Sequence, residues 1–86
     1  MEGMAVLTLD SSGRAISRVA TLDIDQELLA EVERVAGAMV RVLVGLGSLT
    51  KLGSPRSATL TYGELSISLT LGDGKAVAVL SKARGR

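Results

Sequence analysis

The spacing of apolar residues along the chain first indicates a β-hairpin. Short apolar runs occupy residues 4–9 and 14–20, on either side of the sequence Asp10-Ser11-Ser12-Gly13. This sequence has the composition of a turn, because Asp and Ser side chains bond to the local backbone and Gly accepts a positive φ. Two β-prone runs around such a turn predict an antiparallel hairpin.

A helical period follows over residues 25–46. Asp25 is the expected N-cap, and Glu27 places a negative charge in the first turn, where the helix dipole favours it. Apolar residues then recur at steps of three and four, and at 100° per residue one set of them lies within roughly 60° of arc. The stripe that we expect to face a sheet consists of Leu28, Val32, Val35, Met39 and Leu46.

The last third of the chain alternates with a period of two. Residues 57–62, 65–71 and 75–81 form three such runs, separated by Gly63-Glu64 and by Gly72-Asp73-Gly74. They predict a three-stranded antiparallel meander. In its middle strand every second residue is Leu or Ile, and the residues between them are Ser or Thr, so we expect the second face to be wet. The whole pattern predicts an α+β fold, β-β-α-β-β-β, with one antiparallel sheet and one central helix on one face.

Length and composition limit the possible functions. The 86 residues suit a single domain over 1–86, with an ordered core over 4–82 and a basic tail over 83–86. With 47% hydrophobic residues and a single aromatic side chain, the chain has more apolar surface than so small a core can hide, which indicates a partner chain. A net charge of +1, without clustered basic and aromatic residues, argues against nucleic-acid binding.

The same composition argues against several other functions. The sequence has no Cys and no His, which removes thiol chemistry and the commonest general base and metal ligand. The longest apolar stretch, residues 35–46, is too short to span a membrane and contains Arg41. With no secretory signal at the start of the sequence, we expect a cytoplasmic protein. The lack of Asn and the single Gln weakly indicate a thermophilic source.

Two candidate sites have simpler explanations. Asp23 and Asp25 could form a metal site or a carboxylate pair, but acids at the start of a helix are far commoner. The Gly-, Ser- and Lys-containing loop over residues 45–56 could bind phosphate, but its spacing does not match a P-loop and it follows a helix. We therefore expect no catalysis, no cofactor and no metal.

Two segments resemble the roadblock family, the small dynein-light-chain-type domains of the roadblock/longin group. They are the first hairpin, residues 5–13, and the end of the meander, residues 69–80. The resemblance implies strand order 2-1-5-4-3 and a trimmed version, lacking the helices that roadblock domains usually carry before the first hairpin and after the last strand. It also implies a homodimer that acts as a scaffold or as a regulator of a Ras-like small GTPase. A dimeric regulatory module that binds a small molecule is the alternative.

A dimer interface can be assigned to specific residues. The meander edge strand, Ser57 to Tyr62, carries no charge and is open to pairing with its own copy. The small residues Ala30 and Gly37 either face solvent or allow a close antiparallel crossing of two helices near Gly37. The crossing is favoured by the charges on either side, because it would bring Glu33 of one chain toward Arg41 of the other. The expected interface comprises Ala30, Glu33, Gly37, Val40, Arg41, Val44, Ala58, Thr59, Leu60, Thr61 and Tyr62.

Overall fold

The computed structural model describes residues 3–21, 23–53 and 55–82; the predicted basic tail, 83–86, lies outside them. Its elements in chain order are β1 (Gly3–Asp10), β2 (Ala15–Ala20), α1 (Gln26–Leu46), β3 (Ser57–Tyr62), β4 (Leu65–Leu71) and β5 (Lys75–Lys82). The predicted element order is confirmed, and the predicted bounds agree with the structure to within one residue.

The five strands form one antiparallel sheet in the order β2-β1-β5-β4-β3. Both the fold class and the strand order agree with the prediction. The first hairpin turns where expected: a carboxylate oxygen of Asp10 accepts hydrogen bonds from the backbone N–H groups of Ser12 and Arg14, both at 3.0 Å. Gly13 completes the turn with a φ of 89°, a conformation that residues with a Cβ atom rarely adopt.

The start of α1 is also as predicted. Asp25 has extended backbone angles, and its carboxylate accepts a hydrogen bond of 2.7 Å from the N–H of Leu28. The cap satisfies one of the helix donors that have no partner within the helix.

The core lies between α1 and the inner face of β1, β5 and β4. The strands contribute alternate residues to it, and α1 contributes Val32, Ala36, Gly37, Met39, Val40 and Leu43. The predicted stripe was therefore partly wrong. Ala36 and Val40 are fully buried, whereas Leu46 is 38% exposed and Val42 is 59% exposed. Compared with the orientation that the predicted stripe implies, the helix is rotated about its axis. Its small residues, rather than Leu46, face the hairpin of the same chain.

A contact between two glycines explains this rotation. A Cβ atom on Gly37 would lie 2.6 Å from the carbonyl oxygen of Gly13, and one on Gly13 would lie 2.5 Å from the carbonyl oxygen of Gly37. Only residues without a Cβ atom allow the helix backbone and the turn backbone to approach so closely. The β1–β2 turn therefore fixes the position of the middle of α1.

The outer face of the sheet differs from the expected wet surface over part of its area. Ser68 and Thr70 of β4 are exposed there, as predicted. Across β2, β1 and β5, however, several of the outward positions are apolar and exposed: Met4, Val6, Val19 and Val77. The period-two pattern is complete only in β4, so sequence reasoning extended a property of one strand to the whole face.

The glycine contact predicts opposite effects for two substitutions in the same helix. Gly37→Ala should lower the free energy of unfolding by about 1–3 kcal/mol, because the new methyl group meets a backbone oxygen that cannot rotate away. Gly45→Ala should raise it by about 0.5–1 kcal/mol, since nothing lies within 4 Å of that position and Ala is the better helix former. Urea unfolding at one protein concentration measures both, and equal stabilisation by the two variants would contradict the proposed role of the contact.

Candidate functional site

The open edge of β3 presents unpaired backbone groups. The N–H of Leu71 donates to the carbonyl of Arg56 at 2.7 Å, next to the register pair Ser57 and Thr70. Hydrogen-bonded and non-hydrogen-bonded pairs alternate along an antiparallel ladder. The N–H and C=O groups of Ser57, Thr59 and Thr61 therefore face away from β4, toward the open edge.

An apolar groove lies beside this edge, between β3 and α1. We call it the α1–β3 groove; its volume is about 440 Å³, and its lining residues are Val35, Ala38, Met39, Val42, Leu43, Ala58, Leu60 and Tyr62. Ala58 and Leu60 stand opposite the buried residues Leu69 and Ile67, so they lie on the helix side of the sheet. Leu60 and Tyr62 nevertheless remain 36% and 52% exposed, because α1 does not reach across to β3. A free strand edge and an apolar surface thus adjoin each other.

The opposite edge, β2, is protected. The Nε and Nη2 atoms of Arg18 donate to the two carboxylate oxygens of Glu33 on α1, at 2.7 and 2.8 Å. These hydrogen bonds lower the pKa of Glu33 and raise that of Arg18. A charged side chain turned inward on an edge strand, together with the irregular register near Thr8 and Leu9, hinders the addition of another strand. The two edges of the sheet are therefore not equivalent.

Three helix residues of the predicted interface make contacts within the single chain. Gly37 and Val40 are buried within the single chain, and Gly13 of the same chain fills the space above Gly37. Glu33 pairs with Arg18 of its own chain rather than remaining free for Arg41 of a partner. The first hairpin of the same chain thus packs against Gly37, and the helix crossing centred on Gly37 stays a prediction.

The structure distributes the predicted interface residues among three separate surfaces. The β3 residues 58–62 lie at the open edge, as expected. Ala30, Glu33, Gly37 and Arg41 line a second groove that faces the β1–β2 turn, and Val44 lies in a third cleft near Pro55. Sequence reasoning missed the helix side of the α1–β3 groove, which includes Ala38 and Val42. Val42 is one of the apolar residues of α1, and its exposure follows from the orientation of the helix.

Two aspartates, Asp10 and Asp25, have structural roles. Asp25 caps the helix, and Asp10 holds the turn. The hydroxyl of Ser12 and the N–H of Arg14 keep the pKa of Asp10 below its ordinary value. Among residues 3–21, 23–53 and 55–82, no three potential ligands gather to hold a metal ion. Nor does any helix in these ranges combine the length and apolar character needed to cross a membrane.

The strand order and the single helix define a roadblock-type fold, and comparison with solved structures agrees. The chain is similar to Myxococcus xanthus MglB, with 21% identity and a TM-score of 0.61 over 88% of this chain and 56% of that one. It is also similar to a structure of MglB with tetrameric arrangement, with 13% identity and a TM-score of 0.64 over 91% of this chain and 58% of that one. The chain thus spans less than two thirds of the length of either. No protein-family model and no curated protein matches the sequence.

The ion pair between β2 and α1 predicts a pH-dependent contribution to stability. The folded-state pKa of Glu33 is lowered, so its stabilising effect is present above the ordinary pKa and is lost as the pH falls through the folded value. Glu33→Gln should lower the free energy of unfolding by about 0.2–1 kcal/mol at neutral pH, and by progressively less as the pH falls through the folded-state pKa of Glu33. Urea unfolding as a function of pH tests this. Glu31→Gln is the matched control, because Glu31 pairs with Arg34 on the surface of the helix itself; a pH-independent effect of Glu33→Gln would contradict the prediction.

Proposed function

We propose that this chain is a non-catalytic homodimeric interaction module of the cytoplasm, acting as a partner or regulator of a Ras-like small GTPase. The observation that carries the proposal is the β3 edge. An uncharged strand with free backbone groups adjoins the apolar α1–β3 groove, whereas the other edge of the sheet is protected.

A two-fold partner explains both features of this edge. Pairing β3 with its own copy satisfies the backbone groups of Thr59 and Thr61 symmetrically and joins two five-stranded sheets into one. The same approach brings the exposed side chains of Leu60, Tyr62 and Val42 against the partner's copies and removes them from water. Since the Arg18–Glu33 pair protects β2, assembly through strand edges stops at two chains.

The GTPase partner is supported by the fold. The resemblance of the sequence to the roadblock family implies scaffolds or regulators of Ras-like GTPases, and the structure has a roadblock-type fold. The sequence has no P-loop motif for a guanine nucleotide, so the chain takes the role of partner rather than of GTPase. One of the similar structures is an MglB with tetrameric arrangement, which supports self-assembly of this fold.

A non-catalytic role is consistent with the chemistry of the described residues. Every side chain in their core is apolar, with no buried polar or charged residue. The pKa of Asp10 is lowered by hydrogen bonds within the β1–β2 turn, and the pKa of Glu33 is lowered by its ion pair with Arg18. Both interactions stabilise the fold. No observation favours the alternative of a small-molecule-binding dimer, which stays a prediction from the sequence.

The first test concerns the dimer. Light scattering of the wild-type chain at micromolar concentration should give about twice the single-chain mass of 8.9 kDa. Thr59→Pro removes an N–H that faces the open edge and leaves the ladder to β4 intact. It should raise the dissociation constant of the dimer by about tenfold or more. The substitution is present in both chains, so the interface loses two hydrogen-bond donors, each worth about 0.5–1.5 kcal/mol.

Thr59→Val is the matched control for this variant, since it removes the hydroxyl and keeps the N–H. Its dissociation constant should stay within about threefold of wild type. Circular dichroism checks that both variants remain folded. A wild-type mass of one chain at all dilutions would rule out the dimer.

The second test concerns the partner. Immobilised wild-type chain should retain a Ras-like GTPase from an extract of the source organism, identified by mass spectrometry. Addition of the chain should change the rate at which the recovered GTPase hydrolyses GTP. Alternatively, the chain should bind the GTP-bound and GDP-bound forms of the GTPase with different affinities. If no small GTPase is retained in either nucleotide state, the GTPase part of the proposal is wrong, whatever the oligomeric state.

A further inference from the structure

A second groove lies on the other side of α1, between the helix and the β1–β2 turn. We call it the α1–hairpin groove; its volume is about 660 Å³. The small residues Ala15 and Ala30 line its walls, and the close contact of Gly13 with Gly37 lies along it.

Arginine dominates the charge of this groove. Arg14, Arg34 and Arg41 line it, and Glu33 is the one acidic side chain in the lining. Both carboxylate oxygens of Glu33 already bond to Arg18, and Arg34 pairs with Glu31. No acidic side chain in the described part of the chain forms an ion pair with Arg14 or Arg41.

Arg41 is held over the glycine contact. Its Nη1 atom lies 3.5 Å from the carbonyl oxygen of Ser12, a long contact that leaves most of its donors unused. It also lies 3.0 Å from the position that a Cβ atom of Gly13 would occupy. Guanidinium groups bind carboxylates through two parallel hydrogen bonds, so two unpaired arginines beside an open groove are complementary to acidic side chains.

We propose that the α1–hairpin groove binds an acidic segment of a partner protein, with Arg14 and Arg41 contacting its carboxylates. A peptide suits the site better than a nucleic acid, because no aromatic side chain lines the groove and the number of cations is small. The small side chains of Ala15 and Ala30 leave room for an extended main chain between the helix and the hairpin.

The groove stays open in the proposed dimer. It adjoins the turn between β1 and β2, whereas the α1–β3 groove adjoins the opposite edge of the sheet. A dimer formed through β3 would therefore carry two such grooves, related by its two-fold axis. The inference rests on the proposed function in that the ligand belongs to a partner protein, but the charge of the groove does not depend on dimerisation.

Fluorescence anisotropy with a labelled ten-residue peptide of alternating Glu and Gly tests the inference. We expect saturable binding that weakens with added NaCl. Arg14→Glu with Arg41→Glu should lower the affinity by at least about tenfold, because charge-assisted hydrogen bonds turn into repulsion. The matched control is Lys51→Glu with Arg56→Glu, which makes the same change of net charge on exposed residues outside the groove and should lower the affinity by less than about threefold.

Three outcomes would overturn the inference: no binding of the peptide, equal loss in the two double variants, or tighter binding of a ten-nucleotide oligo(dT), which would indicate a nucleic-acid site. Light scattering and thermal melting of the same samples show whether each variant is folded and dimeric. Peptide binding by a monomeric Thr59→Pro variant would uphold the groove without the dimer. If a wild-type chain that is dimeric and retains the GTPase does not bind the peptide, the groove alone is overturned.

Discussion

One helix is too narrow to cover five strands, and the exposed surfaces of this protein follow from that mismatch. Neighbouring strands lie about 4.8 Å apart, so the sheet is about 19 Å wide between its outer strands, whereas a helix with its side chains is about 10–12 Å across. One edge must stay uncovered on the helix side. The contact between Gly13 and Gly37 selects which edge it is, because it holds α1 toward the β1–β2 turn and away from β3.

The placement of the helix also makes the two edges chemically different. On the covered side, Glu33 reaches Arg18 and the ion pair protects β2 from further pairing. On the uncovered side, Leu60 and Tyr62 keep an apolar surface next to free backbone groups. A sheet with one protected and one open edge favours a closed pair of chains over an extended fibre. Part of the exposed apolar surface of this short chain, formed by Val42, Leu60 and Tyr62, thereby lies where a second copy can cover it.

The outer face of the sheet is divided in a similar way. Hydroxyl side chains such as Ser68 and Thr70 occupy it on β4, whereas Val6 and Val19 make it apolar on β1 and β2. The outward side chains differ from strand to strand, so the character of the whole face depends on which strands lie side by side. The strand order, with β1 between β2 and β5, places the apolar strands together.

Periodicity and turn chemistry were sufficient to predict the elements, their bounds and the fold class, because each depends on residues close in sequence. Asp25 as a cap and the Asp10–Gly13 turn are examples of such local determination. The uncharged β3 edge could be predicted because charge is visible in the sequence itself. The helix face could not: Gly37 and Gly13 are 24 positions apart, so only the tertiary structure decided that they meet. That long-range contact sets the orientation of the helix, in which Val40 is buried, Val42 is exposed and Glu33 forms an ion pair with Arg18. It thereby determines which helix residues a partner can reach.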